Sequence, residues 1–267
     1  MKTNLSSWTN LVGTRHLTWT LLVGLAAWAQ TSPGADSTGV PVLTGDSFPT
    51  SQGALIVHPV NHASLVLGWG GKILYVDPVG GAARYADLPR ADLILITHTH
   101  GDHLDAATIM AVRTPTAPLV GPPSVCDQKS LSNLGENLVR MTNGETKVLL
   151  GASVEAVPAY NLEKTFHRRG VDNGYVLTFG GKRVYISGDT QGTPELRQLR
   201  NIDLAFLCMN LPYTMTVTEA ISATREFKPK VVYPYHYRGQ GGLSDLAAFK
   251  AGAEKDLPIE VRLRNWY

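Results

Sequence analysis

The chain has 267 residues, of which 43% are apolar, 17% charged and 8% aromatic; this is a globular composition long enough to bury a full core, and it excludes disorder and a coiled coil. Its 24 Lys and Arg stand against 22 Asp and Glu, a near-balance that gives no electrostatic footprint for nucleic acid or an anionic membrane and suits a small neutral or weakly charged partner. With only Cys126 and Cys208, a disulfide framework and a cysteine-rich zinc module are excluded, and one bridge between the two is all that stays open.

At the start of the chain, Arg15 and His16 precede thirteen mostly apolar residues, 17–29, that end in Ala27-Trp28-Ala29, a small-x-small pattern of the kind signal peptidase reads. The run is short for a bilayer span, so residues 1–29 are expected to be a secretory signal with Lys2 and Arg15 as its positive end. An uncleaved membrane anchor is the alternative, and either places the body outside the cytoplasm, periplasmic or extracellular. Removing Lys2 and Arg15 leaves 22 basic against 22 acidic residues. Residues 30–53 are rich in Ser, Thr, Gly and Pro without apolar period and are expected to be a flexible linker, with one folded domain over 54–267.

Within that domain, 63–67 and 72–76 read as a hairpin, as do 175–179 and 183–187 around Gly180-Gly181. Apolar runs at 91–97, 203–208 and 231–235 read as buried strands. Helical spacing marks 105–113, 194–199, 216–227 and 244–251, with Thr216 and Glu219 forming a capping box. Hairpins followed by alternating strand and helix predict an α/β fold of stacked sheets with helices outside.

After the strand at 91–97 the chain reads Thr97-His98-Thr99-His100-Gly101-Asp102-His103. Three imidazoles and a carboxylate in six residues make a poor loop and a good metal holder. His98 and His100, two apart, can point to one side of an extended segment, whereas Asp102 and His103 lie past Gly101 and can face a second ion. Surface histidines on a loop are the plain alternative.

This segment resembles the His-x-His-x-Asp-His signature of the metallo-β-lactamase superfamily, and other landmarks follow in that family's order. Tyr75-Val76-Asp77-Pro78 resembles the strand whose Asp braces the metal loop, Ser187-Gly188-Asp189-Thr190 the turn whose carboxylate bridges two metals, and Pro234-Tyr235-His236 the late strand-end histidine. Asn61-His62-Ala63-Ser64 and Val157-Pro158-Ala159-Tyr160-Asn161 are similar to the lactonase-like branch, that of the ascorbate-phosphate lactonases and, more distantly, N-acyl phosphatidylethanolamine phospholipase D. The resemblance implies a four-layer αββα sandwich with one or two divalent ions at the edge of the sheets. It assigns His98 and His100 to one ion, Asp102, His103 and His236 to the other, and Asp189 between them. Zinc follows from the ligand chemistry, with manganese, iron and nickel compatible.

The chain departs from the family pattern at Asn161, where a third histidine is expected for the first ion; an amide oxygen is the weaker ligand. His167 is the nearby replacement, and a ligand, a substrate or proton-transfer group, and a surface histidine all stay open for it. Asp77 and His62 are read as braces behind the ligands and His58 as structural. Tyr160, Tyr213, Tyr237 and Arg238 are candidate pocket residues; Met209 and Met215 read as core.

The implied chemistry is hydrolysis of a small ester, lactone or phosphodiester by a metal-bound hydroxide, with Asp102 and His103 at the catalytic centre and Asp102 orienting the water. A β-lactamase-like amide hydrolase and a non-catalytic metal-binding scaffold are the alternatives. No nucleic-acid partner is expected, nor a stable membrane partner unless the signal segment stays attached.

Overall fold

The computed structural model describes residues 41–267. The expected signal at 1–29 therefore lies outside the described residues, as does the first part of the expected linker.

Seven strands form the first sheet in simple sequence order: β1 (Asp46–Thr50), β2 (Gly53–Asn61), β3 (Ser64–Trp69), β4 (Lys72–Val76), β5 (Leu93–Leu95), β6 (Leu119–Gly121) and β7 (Leu138–Arg140). The second holds β8 (Thr146–Leu149), β9 (Ala152–Ala159), β10 (Asp172–Phe179), β11 (Lys182–Ile186), β12 (Leu204–Cys208) and β13 (Val231–Tyr235). A small hairpin, β14 (Arg238–Gly239) with β15 (Gly242–Leu243), precedes β16 (Glu260–Val261), which pairs with β13 at the far edge of that sheet. The helices are α1 (Ala106–Val112), α2 (Pro123–Cys126), α3 (Pro194–Arg197), α4 (Val217–Phe227) and α5 (Leu246–Glu254). Among the described residues no helix is long and apolar enough to cross a membrane.

Side-chain alternation builds the layers. Leu65, Leu67, Leu74, Val76, Leu93 and Leu95 point between the sheets, where they join Val154, Tyr175, Leu177, Val184, Ile186 and Phe206 in one core. The intervening residues Val66, Tyr75, Ile94 and Ile96 face the other way and pack with Ile109 and Val112 of α1 in a separate cluster. On the far side, Ala220, Ala223 and Phe227 of α4 and Phe249 of α5 cover the second sheet. This is the expected αββα order of helix, sheet, sheet and helix.

Both expected hairpins form. Gly70 and Gly71 (φ 59° and 72°) join β3 to β4, and Gly180 and Gly181 (φ 49° and 86°) join β10 to β11; these left-handed pairs match the twist of the strands and are easiest for glycine. The Thr216 hydroxyl caps α4 by accepting from the Glu219 amide at 3.0 Å. The box is only half formed, because the Glu219 carboxylate accepts from the Gly192 amide at 2.9 Å and so ties α4 to the loop before α3.

The domain begins earlier than expected, and this corrects the linker boundary at residue 53. Residues 46–50 form β1, paired with β2 from Asp46↔Val57 to Thr50↔Gly53, and Leu43 is already buried. Its sequence hid it because only alternate residues are partly covered, so β1 is ordered by main-chain pairing and not by an apolar run. Asp46 anchors it further, accepting from the Tyr233 hydroxyl at 2.7 Å and the Arg264 guanidinium at 2.6 Å. Cys126 and Cys208 are free thiols.

Candidate metal centre

Every landmark follows a strand and falls on one edge of the sandwich. Asp77 follows β4, the 97–103 segment follows β5, the 160–167 loop follows β9, Asp189 follows β11, His236 follows β13, and His62 sits in the turn between β2 and β3. Strands β4 and β5 run parallel, as do β11, β12 and β13, so this edge gathers carboxyl ends of strands from both sheets, where open sheets commonly place their sites. The two sheets are locked together there: the Asn173 amide donates to the Thr97 carbonyl at 3.0 Å and the Tyr175 hydroxyl to the Ile96 carbonyl at 2.9 Å.

Four site residues, His62, Asp77, His167 and His236, have φ of 55°, 45°, 57° and 45°. They are half of the eight non-glycine residues with positive φ among the described residues. Such backbone is unfavourable for side chains with a Cβ and persists where surrounding contacts hold it, here to aim imidazoles and a carboxylate inward.

Among the described residues, three groups of side chains bring their ligand atoms within 4.8 Å of one another: His98, His100 and His167; His62, Asp102 and His236; and His98, His103 and Asp189. The set expected around the second ion is linked through Asp189, whose Oδ1 lies 3.4 Å from His103 Nε2 and 3.2 Å from His236 Nε2, while His236 Nε2 is 3.5 Å from Asp102 Oδ2. Asp189 Oδ2 is 3.4 Å from His167 Nε2, so this one carboxylate touches both halves of the centre. His98, His103, His167, Asp189 and His236 are buried, whereas His100 and Asp102 are exposed at the mouth.

Hydrogen bonds behind the cluster fix which imidazole nitrogen faces forward. Asp77, fully buried, accepts from the Thr97 amide at 2.8 Å, the Thr97 hydroxyl at 2.7 Å and His103 Nδ1 at 2.8 Å. With its proton given to Asp77, the Thr97 oxygen is left to accept from His98 Nδ1 at 3.0 Å. His167 Nδ1 pairs with Asp172 at 3.2 Å. In all three rings a partner behind holds Nδ1, which leaves Nε2 as the nitrogen that faces the cluster.

Electrostatics follow the same layout. Burial pushes the Asp189 carboxyl up, but His236 and His103 outweigh it and hold it well below the usual range. Burial likewise raises Asp102, and the hydrogen bond from His62 with the charges of His103 and His236 brings it well below. Burial lowers His103, yet Asp189 and Asp77 carry it well above an ordinary imidazole. His98 is lowered, by burial first and then by its histidine neighbours.

A divalent ion fits these residues. His103 Nε2 and Asp189 Oδ1 are buried without a hydrogen-bond partner, a costly state that a cation between them relieves. The donors, imidazole nitrogens with carboxylate oxygens, suit zinc or another first-row divalent ion. A cavity of about 340 Å³ opens on the cluster, lined by His100, Asp102, Phe166, His167, Asp189, Asn210 and Tyr213. Larger hollows of about 480 and 580 Å³ lie elsewhere on the surface, and their linings include none of the clustered groups.

Asn161 Nδ2 donates to the Phe166 and Tyr213 carbonyls at 3.0 and 2.7 Å, and its Oδ1 is buried without a hydrogen-bond partner. The Asn161 amide nitrogen thus ties the loop, and His167 stands in the group with His98 and His100. His167 is 6% exposed, which removes the surface-histidine alternative. His62 Nε2 donates to Asp102 Oδ2 across 3.0 Å, as a brace would, and also stands within ligand range of Asp102 and His236. His58 bonds the Thr44 carbonyl at 2.7 Å, away from the cluster. Of the pocket candidates, Tyr213 lines the cavity; Tyr160 turns to Glu195, Tyr237 to the Arg264 carbonyl, and Arg238 lies over the Tyr267 ring. Met209 and Met215 are core.

Sequence reasoning passed over Asp172, Phe166 and Asn210. Asp172 opens β10 and reads as a strand-start polar residue, and Phe166 reads as an ordinary apolar neighbour of His167. Asn210 Nδ2 lies 3.2 Å from His236 Nε2, a contact between two distant loops that no local pattern carries.

A doubly stacked αββα fold with a His and Asp cluster on its strand-end edge defines a metallo-β-lactamase-type centre. The chain matches the β-lactamase superfamily domain over residues 57–236, and it belongs to the metallo-β-lactamase superfamily. It is similar to a UPF0173 metal-dependent hydrolase of Thermococcus onnurineus, 34% identical over 63% of this chain and 78% of that one. A UPF0173 metal-dependent hydrolase of Pelotomaculum thermopropionicum is 30% identical over 76% of this chain and 94% of that one. Among solved structures, a protein of Parabacteroides distasonis assigned as a metal-dependent hydrolase is 41% identical, superposes with a TM-score of 0.73, and matches 84% of this chain and 99% of that one.

Proposed function

We propose that this metal-dependent hydrolase of the metallo-β-lactamase superfamily cleaves a small ester or lactone, with the centre built on His98, His100 and His167 on one side and Asp102, His103, Asp189 and His236 on the other. The observation that carries the reading is the buried, unpartnered pair His103 Nε2 and Asp189 Oδ1, set among further inward-facing ligand atoms. Divalent ions held there supply Lewis-acid polarisation of the electrophile and make water a competent nucleophile near neutral pH.

The chain's own residues do the rest. Asp102 is the exposed acid of the cluster, its side chain 48% accessible against 4% for Asp189, so it is the carboxylate that can orient a water. His62, 3.0 Å away, holds Asp102 Oδ2 in place. Asn210 and Tyr213 line the cavity beside these ligands. None of the seven lining residues is Lys or Arg, which favours an uncharged acyl centre over a phosphodiester.

The test is hydrolysis of a panel of lactones, carboxylic esters, β-lactams and phosphodiesters by the metal-loaded protein, with and without chelator. Chelator-sensitive cleavage of esters or lactones, lost in Asp102→Ala, is the expected result. Cleavage of phosphodiesters or β-lactams alone overturns the substrate class, and full activity in Asp102→Ala overturns its role. Export belongs to the proposal too, supported by the 17–29 sequence; a mature N-terminus at Gln30 on the secreted protein is the expected finding, and retention of residues 1–29 overturns it.

A further inference from the structure

Two aromatic rings guard the mouth of the metal centre. Phe166 and Tyr213 meet edge to face with ring centroids 5.2 Å apart and planes at 73°, and both line the cavity that holds His100, Asp102, His167 and Asp189. Phe166 is 40% exposed in a chain whose Phe206, Phe227 and Phe249 are all buried. Leu162 and Leu211, on the same two loops, are exposed as well.

These rings are not at the tips of free loops. One side chain ties them: Asn161 Nδ2 donates to the carbonyl of Phe166 at 3.0 Å and to that of Tyr213 at 2.7 Å, while the Asn161 amide donates to the His167 carbonyl at 2.9 Å. Lys164 Nζ adds a second link, to the Thr214 carbonyl. The amides of Leu162 and Glu163 donate to Gln191 Oε1 at 2.9 and 3.2 Å. An aromatic edge fixed in advance loses little freedom when a ligand covers it, so its exposed area is available for affinity.

We propose that the Phe166–Tyr213 pair is the recognition edge for an apolar acyl or aryl group beside the scissile bond, and that Asn161 is the positioning residue that presents both rings. The proposal rests on the hydrolase reading and narrows it: beside the two rings no lysine or arginine lines the cavity to pair with an anionic extension, so an uncharged apolar one is taken. The approximate 340 Å³ volume fits a compact group such as phenyl or a short alkyl chain.

Hydroxamates test this without requiring turnover, because they chelate a metal centre while displaying a chosen side group. Acetohydroxamate, hexanohydroxamate and benzohydroxamate are titrated calorimetrically into the metal-reconstituted protein. Each methylene laid on a half-exposed edge gains roughly twofold, about half of the full-burial effect on a logarithmic scale, so hexano- and benzohydroxamate are expected to bind about tenfold tighter than acetohydroxamate. In Phe166→Ala and Tyr213→Ala the ratio falls to within about twofold of unity with metal content unchanged. Asn161→Ala keeps both rings and is expected to lower the ratio as well, whereas an unchanged ratio overturns its positioning role. Equal affinity for the three ligands in the wild type, or a ratio that survives in both ring variants, overturns the recognition edge. Failure of acetohydroxamate to bind the metal-loaded protein overturns the hydrolase reading itself, and this proposal with it.

Discussion

Asp77 Oδ2 accepts from His103 Nδ1 at 2.8 Å and from the Thr97 hydroxyl at 2.7 Å, and neither Asp77 nor His103 has any exposed surface. The carboxylate therefore sets the tautomer of His103 directly and, through Thr97, that of His98. An imidazole whose rear nitrogen is anchored this way is a more basic ligand with less freedom to lose on binding a cation.

Asp77→Asn removes the negative charge and offers an amide donor in its place, which favours the proton on the wrong nitrogen of His103. Metal affinity is expected to drop about 10- to 100-fold, the usual cost of losing such a partner. Competition with a chromophoric chelator measures it. An unchanged affinity would remove Asp77 from any supporting role.

His167→Ala takes away the third member of the His98 and His100 group, whose Nε2 lies 3.4 Å from Asp189. The group around Asp102, His103 and His236 keeps all its atoms. Elemental analysis of the purified proteins is expected to give two ions per chain for the wild type and one for the variant. Two ions in both would show that His167 is no ligand, and would free it for a substrate role.

Much of this was legible in the sequence, and the illegible part has a common cause. The β5 and β13 strands, α1, α4 and both diglycine hairpins were carried by local signals, namely apolar runs, caps and turns. The His98 to His103 cluster was legible for the same reason, being contained within one loop. Strand β1 was not, since its order comes from pairing with β2 and from Asp46 reaching Tyr233 and Arg264, residues near the other end of the chain. Asn161 and His167 show the same limit at the site. The sequence marks both as candidates, but only the fold of the 160–167 loop sets His167 beside His98 and His100 and ties Asn161 Nδ2 to Tyr213.

Asp203 offers a pH test remote from the metal centre. Burial raises its carboxyl, but hydrogen bonds from Lys230 at 2.8 Å and the Arg183 amide at 2.9 Å, with Lys182 nearby, bring the net value below that of an ordinary aspartate. A carboxyl lowered by folding contributes stability that is present above its unfolded pKa, about 3.9, and is lost as pH falls through the folded value. Asp203→Asn is thus expected to be less stable than wild type by roughly 1 kcal/mol from pH 5 to 8, a modest figure because Lys230 is largely solvated. The difference narrows below about pH 4. Urea midpoints across that range check it, and a gap that stays constant down to pH 2.5 would rule out Asp203 as the titrating group.

Trp266 links the core to the metal centre. Its indole is fully buried, 6.4 Å from the Phe206 ring and 5.7 Å from Tyr235, while its carbonyl accepts from the His62 amide and from Asn61 Nδ2, each at 2.9 Å. His62 in turn bonds Asp102 and passes its own carbonyl to the His236 amide at 3.0 Å. Trp266→Ala leaves a large cavity and is expected to cost about 3–5 kcal/mol, read from the urea midpoint. Trp266→Phe keeps most of the volume, so it costs less and leaves the fold intact for a second measurement. If the Trp266 backbone holds His62 only because the indole is seated, Trp266→Ala weakens the metal site shared by Asp102 and His236, and Trp266→Phe restores it. Equal metal affinity in all three proteins would mean that the backbone contact survives without the ring, and that core and site are coupled by the chain alone.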